Sequence, residues 1–135
     1  MAFQGSCLCS AIRYEISGLD TPIGHCHCST CRKAHASSFT STARVSRDNF
    51  KFTAGGDQLR GFESSPGKFR RFCGTCGSHI YAEWVDQPQI ILRVATLDED
   101  PGARPLVHIW TSHDPPWLMD QADVRRFAEG LPLRR

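Results

Sequence analysis

Short stretches of alternating apolar and polar residues recur along this chain. In Ala11-Ile12-Arg13-Tyr14-Glu15-Ile16 the side chains of Ile12, Tyr14 and Ile16 fall on one face, the two-residue period of a half-buried strand. Phe50–Thr53 is a shorter strand ahead of the Gly55-Gly56 turn. Leu59–Glu63 and Lys68–Phe72 flank Ser-Ser-Pro-Gly and read as a hairpin. Ser78–Trp84, Gln89–Ala95 and Leu106–Trp110 are further strands, the second the most apolar, and the Thr/Ser-rich stretch Ser38–Val45 is another. Residues 18–24, with Pro22, read as a loop. Helical spacing is sparse: one turn over Ser29–Ala34, and a short C-terminal helix capped by Asp120. In that helix Val124, Phe127 and Ala128 share a side, and Gly130 and Pro132 end it. There is no repeat and no linker. The pattern predicts one domain over residues 1–135, mainly β, with antiparallel strands and little helix.

Composition sharpens this expectation. Leu, Ile, Val and Phe are 29 of 135 residues, just above the roughly 20% below which highly charged chains stay disordered. The net charge is only +2, so the chain should fold, but around a thin aliphatic core. That charge also gives no reason to expect a nucleic-acid partner or an acidic membrane surface. No apolar run approaches the roughly 18 residues of a membrane span. The opening Met-Ala-Phe-Gln-Gly-Ser-Cys lacks the basic and apolar regions of a signal peptide. The expected compartment is therefore the cytoplasm, where thiols stay reduced.

Seven cysteines then need a role other than disulfides, and an odd number would leave one over. They fall into three groups: Cys7 and Cys9 as C-x-C, Cys26, Cys28 and Cys31 as C-x-C-x-x-C, and Cys73 and Cys76 as C-x-x-C. Two, two and three is the arithmetic of one closed four-thiolate site and one open three-thiolate site. In the C-x-x-C group, Gly74 and Gly77 allow a tight knuckle that turns both sulfurs to one point. A C-x-C pair in an extended segment also puts both sulfurs on one face. Tetrahedral zinc accepts two such pairs. Cys7 and Cys9 are accordingly paired with Cys73 and Cys76, although spacing alone leaves open a pairing with two of the middle group. A structural zinc contributes on the order of 10–16 kcal/mol, against a typical domain stability of ~5–15 kcal/mol, so the closed site should decide whether the chain folds.

Gly5-Ser6-Cys7-Leu8-Cys9, Cys26-His27-Cys28-Ser29-Thr30-Cys31-Arg32-Lys33 and Phe72-Cys73-Gly74-Thr75-Cys76-Gly77-Ser78 together resemble the glutathione-dependent formaldehyde-activating enzyme family, which includes centromere protein V. His108-Ile109-Trp110-Thr111-Ser112, followed by Pro116-Trp117, resembles the family's C-terminal pattern. The resemblance covers nearly the whole chain. It implies a β-tent fold of two sheet layers clamped by zinc, a structural zinc on Cys7, Cys9, Cys73 and Cys76, and a second, catalytic zinc on Cys26, Cys28 and Cys31. It also implies a carbon–sulfur lyase acting on a thiol–aldehyde adduct such as S-hydroxymethylglutathione, with glutathione or a similar thiol as co-substrate. The partners are then a small-molecule thiol and an aldehyde.

Three thiolates on Zn²⁺ leave a formal charge of about −1, so such a centre activates water poorly but can bind an incoming thiol and keep it deprotonated. A proton donor for the developing alkoxide would complete the chemistry. His27, inside the motif, is the first candidate, ahead of His35, His79 and His108. Alternatively, His25 or His27 closes the site as a fourth ligand, which argues against catalysis; the other readings are a zinc-stabilised binding module with both metals structural, or a thiol redox or metal sensor built on the C-x-C-x-x-C. Arg32 and Lys33 are candidates to meet the carboxylates of the thiol, with Arg70 and Arg71 behind them. Phe39, Trp84, Trp110 and Trp117 are candidate pocket walls.

Overall fold

The computed structural model describes residues 2–118 and 123–131. Ten strands and one α-helix are seen among them. β1 (Phe3–Ser6), β2 (Arg13–Ile16) and β5 (Phe50–Ala54) form a three-stranded antiparallel sheet in the order β1-β2-β5. The larger sheet contains β3 (Ile23–Cys26), β4 (Thr40–Ser46), β6 (Leu59–Ser65), β7 (Lys68–Cys73), β8 (His79–Trp84), β9 (Gln89–Arg93) and β10 (Pro105–Ile109). Its order is β10-β3-β4-β9-β8-β7-β6. The helix α1 (Ser29–His35) follows β3 directly. Ile12, Tyr14 and Ile16 from the small sheet side meet Val45, Ile80, Ile90 and Leu92 from the large sheet, and Cys7 and Cys73 belong to the same core.

The strands expected from alternation are present, and the chain is mainly β with little helix, as expected. Four details differ. The segment 18–24 is not all loop, because Ile23 and Gly24 already belong to β3, where they are buried. Strand β1 carries too little alternation to be read from sequence. Gly5 sits at its centre because the Tyr14 ring occupies the space where a Cβ would project. The large sheet is not wholly antiparallel: β10 runs parallel to β3, pairing His108 with His25 and Ile109 with Cys26. No helix forms over residues 124–131, where Val124 and Phe127 are exposed, so the apolar stripe there has no surface to cover. Asp120 and Pro132 lie outside the described residues. Among the described residues, no helix is long and apolar enough to cross a membrane.

Candidate metal centres and the cavity beside them

The sulfurs of Cys7, Cys9, Cys73 and Cys76 lie within 4.8 Å of one another. The first pair is not on an extended segment. It sits in the loop joining β1 to β2, where the Cys7 N–H donates to Ile12 O (3.1 Å), the Ser10 N–H donates to Cys7 O (3.0 Å), and Ser10 has φ 67°. This turn, rather than strand alternation, brings both sulfurs to one point. Cys73 ends β7, and Cys76 lies in the turn into β8, closed by Gly77 N–H to Cys73 O at 2.8 Å, with Gly77 at φ 81°. Backbone N–H groups face the sulfurs: Ile12 N is 3.3 Å from Cys7 Sγ and Thr75 N is 3.4 Å from Cys73 Sγ. The Ser78 hydroxyl, aided by backbone N–H groups, holds Cys76 down to about 5.

Tetrahedral zinc with Zn–S near 2.3 Å sets its sulfurs roughly 3.8 Å apart. Cys7 to Cys9 is 3.6 Å and Cys9 to Cys73 is 3.9 Å. Four soft donors at these separations, with N–H groups to stabilise thiolates, fit zinc.

The sulfurs of Cys26, Cys28 and Cys31 also converge within 4.8 Å, and no fourth His, Cys, Asp or Glu among the described residues joins them. Local structure explains the convergence. Cys26 is the last residue of β3. Cys28 caps α1, its sulfur accepting from the Cys31 N–H at 3.3 Å, and Cys31 is the buried residue of the first turn. The hydrogen bond from the Cys26 thiol is the largest effect on Cys31, holding it down to about 4 with help from Cys28, Arg93 and Arg70; the same shared proton pushes Cys26 upward.

All three sulfurs line a cavity of about 570 Å³ together with Gly24, Arg44, Lys68, Trp84, Arg93, Ile109 and Trp110. No Asp or Glu is among its lining residues. Lys68 is half-buried, its Nζ 5.4 Å from the Trp84 ring centroid, and burial lowers its pKa. Arg93 is 5% exposed, with Nε and Nη2 unpartnered, and burial pulls its pKa down to about 10. Arg70 approaches from the other side, its Nη1 3.7 Å from Cys31 Sγ. Two buried guanidinium groups thus flank the three sulfurs, and they favour the anionic form of Cys31.

His27 does not line this cavity. Its Nδ1 is 2.7 Å from Asp114 Oδ1 and its Nε2 is 2.8 Å from His108 Nδ1, while its ring stacks on Phe39. His25 pairs with Ser41 Oγ at 3.0 Å. Along β3, Gly24 and Cys26 face the cavity, and His25 takes the opposite side of the sheet. Arg32 donates to His113 O at 2.9 Å, and Lys33 lines a different cavity, so neither faces the three sulfurs. Of the candidate walls, Trp84 and Trp110 line the thiolate cavity and Phe39 and Trp117 do not. His35 and His79 pack on each other, ring centroids 4.4 Å apart. Arg71 bonds Glu83 at 2.7 Å. Sequence reasoning missed Lys68, Arg44 and Arg93. Only Arg93 carried a signal, a cation between the apolar Ile90–Leu92 and Val94.

A protein of Halomonas elongata, whose name places it among glutathione-dependent formaldehyde-activating enzymes, is 25% identical over 98% of this chain and 90% of its own length. A Pyrenophora teres protein with the same family name is 31% identical over 61% of this chain and 45% of its own. An uncharacterized lyase of Schizosaccharomyces pombe is 28% identical over 62% and 59%. A Rhodobacter sphaeroides crystal structure shares the fold, with a TM-score of 0.61 and 23% identity, covering 76% of this chain and 97% of that one. The family profile of the glutathione-dependent formaldehyde-activating enzyme matches residues 2–113, and the chain belongs to that family.

Proposed function

We propose that the chain is a zinc-dependent carbon–sulfur lyase that makes or breaks adducts between glutathione, or a similar anionic thiol, and an aldehyde such as formaldehyde. The observation that carries this reading is the three-sulfur cluster in the wall of a cavity lined by Arg44, Lys68 and Arg93 and by no carboxylate. In this proposal Cys7, Cys9, Cys73 and Cys76 hold a structural zinc, and Cys26, Cys28 and Cys31 hold a second. Zinc bound to the trio would supply a fourth position at which a thiol is kept as thiolate near neutral pH.

The chain's own residues do the rest. The free N–H groups of Arg93 meet a substrate carboxylate, and Arg44 adds charge at the same wall. Trp84 and Trp110 provide apolar walls that exclude water. In the synthetic direction the thiolate sulfur bonds to the carbonyl carbon, the C=O π pair moves to oxygen, and the Lys68 ammonium protonates that oxygen. The proton given up by the thiol restores Lys68 through solvent. In reverse, neutral Lys68 takes the hydroxyl proton and the C–S pair returns to sulfur. Burial eases this exchange by bringing Lys68 closer to neutral pH. His27, tied at both ring nitrogens between two of the trio, is assigned a positioning role instead.

Exchange NMR of glutathione with formaldehyde and other small aldehydes, with and without the zinc-loaded protein, tests the proposal. Faster adduct formation and breakdown, abolished by Cys28→Ser, supports it. Rates equal to the spontaneous ones across all aldehydes overturn it.

A further inference from the structure

A second cavity, of about 590 Å³, opens on the other side of α1 from the thiolate cavity. Lys33, Ser64, Arg70, Phe72, His79 and Phe62 are among its lining residues. It shares none of its lining with the first cavity.

Its polar walls are incomplete in one sense only. Arg70 is 3% exposed, and its Nε, buried, has no hydrogen-bond partner. The Ser64 hydroxyl and His79 Nδ1 are also buried and unpartnered. No Asp or Glu lines the cavity. Buried donors left without acceptors are costly, at about 1–3 kcal/mol each and more for a charged group. An anion placed here would accept from the Arg70 guanidinium and the Ser64 hydroxyl, with the Lys33 ammonium near the rim. The remaining wall is apolar, from Phe62 and Phe72, and the volume exceeds that of a bare oxyanion.

We propose that this cavity is a binding site for a small organic carboxylate, its charged end on Arg70 and Ser64 and its apolar part against Phe62 and Phe72. The cavity is separate from the thiolate cavity, with no lining residue in common. It is connected to the trio by Arg70 itself, whose Nη1 is 3.7 Å from Cys31 Sγ while its buried Nε has no partner within the protein.

The experiment is an amide NMR titration of the zinc-loaded full chain with benzoate, with benzyl alcohol as its neutral counterpart, and with inorganic phosphate. Benzoate should give saturable shifts at Lys33, Ser64 and His79, with benzyl alcohol and phosphate each about tenfold weaker or more. Lys33→Gln and Ser64→Ala, neither of them a metal ligand, should each weaken benzoate by several-fold, and Phe62→Ala should weaken benzoate but leave phosphate unchanged. Phosphate binding as tightly as benzoate would overturn the assignment to an organic carboxylate. Shifts confined to Gly24, Ile109 and Trp110 of the other cavity, or benzoate affinity untouched by all three variants, would overturn the site.

Discussion

The guanidinium Nη1 of Arg70 lies 3.7 Å from the sulfur of Cys31, on a side chain almost wholly buried. With Arg93 also buried against the trio, the protein places two cations around three sulfurs. These buried arginines set positive charge beside the sulfurs, the sign that an anionic thiol needs.

Arg93 is expected to select for charge on the thiol. Arg93→Met should raise KM for glutathione by about tenfold or more, the loss of a charge-assisted hydrogen bond. It should change KM for the neutral thiol 2-mercaptoethanol little. Steady-state kinetics with both thiols checks this, and an equal effect on the two would remove Arg93 from substrate recognition.

Lys68 should act on the chemical step. Lys68→Met is expected to lower kcat by about 10²-fold or more, the usual range for a lost general acid or base, with KM changing less. In the synthetic direction the basic limb of the kcat profile should disappear with the ammonium.

The two cysteine groups should separate cleanly. Cys28→Ser should leave a folded protein with one zinc fewer and no activity, whereas Cys73→Ser should fail to fold, because a structural zinc is worth on the order of a whole domain's stability. Zinc content by mass spectrometry and circular dichroism distinguish the two outcomes.

Much of this was legible before the structure. Strand β2 announces itself because it has one apolar face against the core, of which alternation is the direct trace, whereas β7 was legible from the turn before it and β9 from its apolar run. The cysteine groups were legible because ligand spacing is local. Geometry was less so: Cys7 and Cys9 converge through a turn that depends on a left-handed Ser10, which C-x-C does not encode. The parallel pairing of β10 with β3 joins residues some eighty positions apart, and it decides that His27 faces Asp114 and His108 rather than the cavity. Lys68, Arg44 and Arg93 reach the site from three strands, so no window of sequence contains them together.

Stability should also report on His35. Burial, with Arg93 and His79 nearby, holds its pKa down to about 3 from the usual 6.5. The unfolded chain therefore takes up a proton near pH 6.5 that the folded chain refuses. The contribution is full above about pH 6.5 and is lost as the pH falls from there toward 3. His35→Gln should make the loss between pH 7.5 and 5.5 smaller than in the wild type, read by urea unfolding of both zinc-loaded proteins; equal losses would show that His35 titrates normally.

The most direct measurement is the sulfur coordination of the second zinc, by X-ray absorption, before and after glutathione is added. Three protein sulfurs on that ion, rising to four with glutathione and not with a thiol-blocked analogue, is the predicted result. A second zinc already closed by four protein ligands, or one whose coordination does not change with glutathione, would contradict the account.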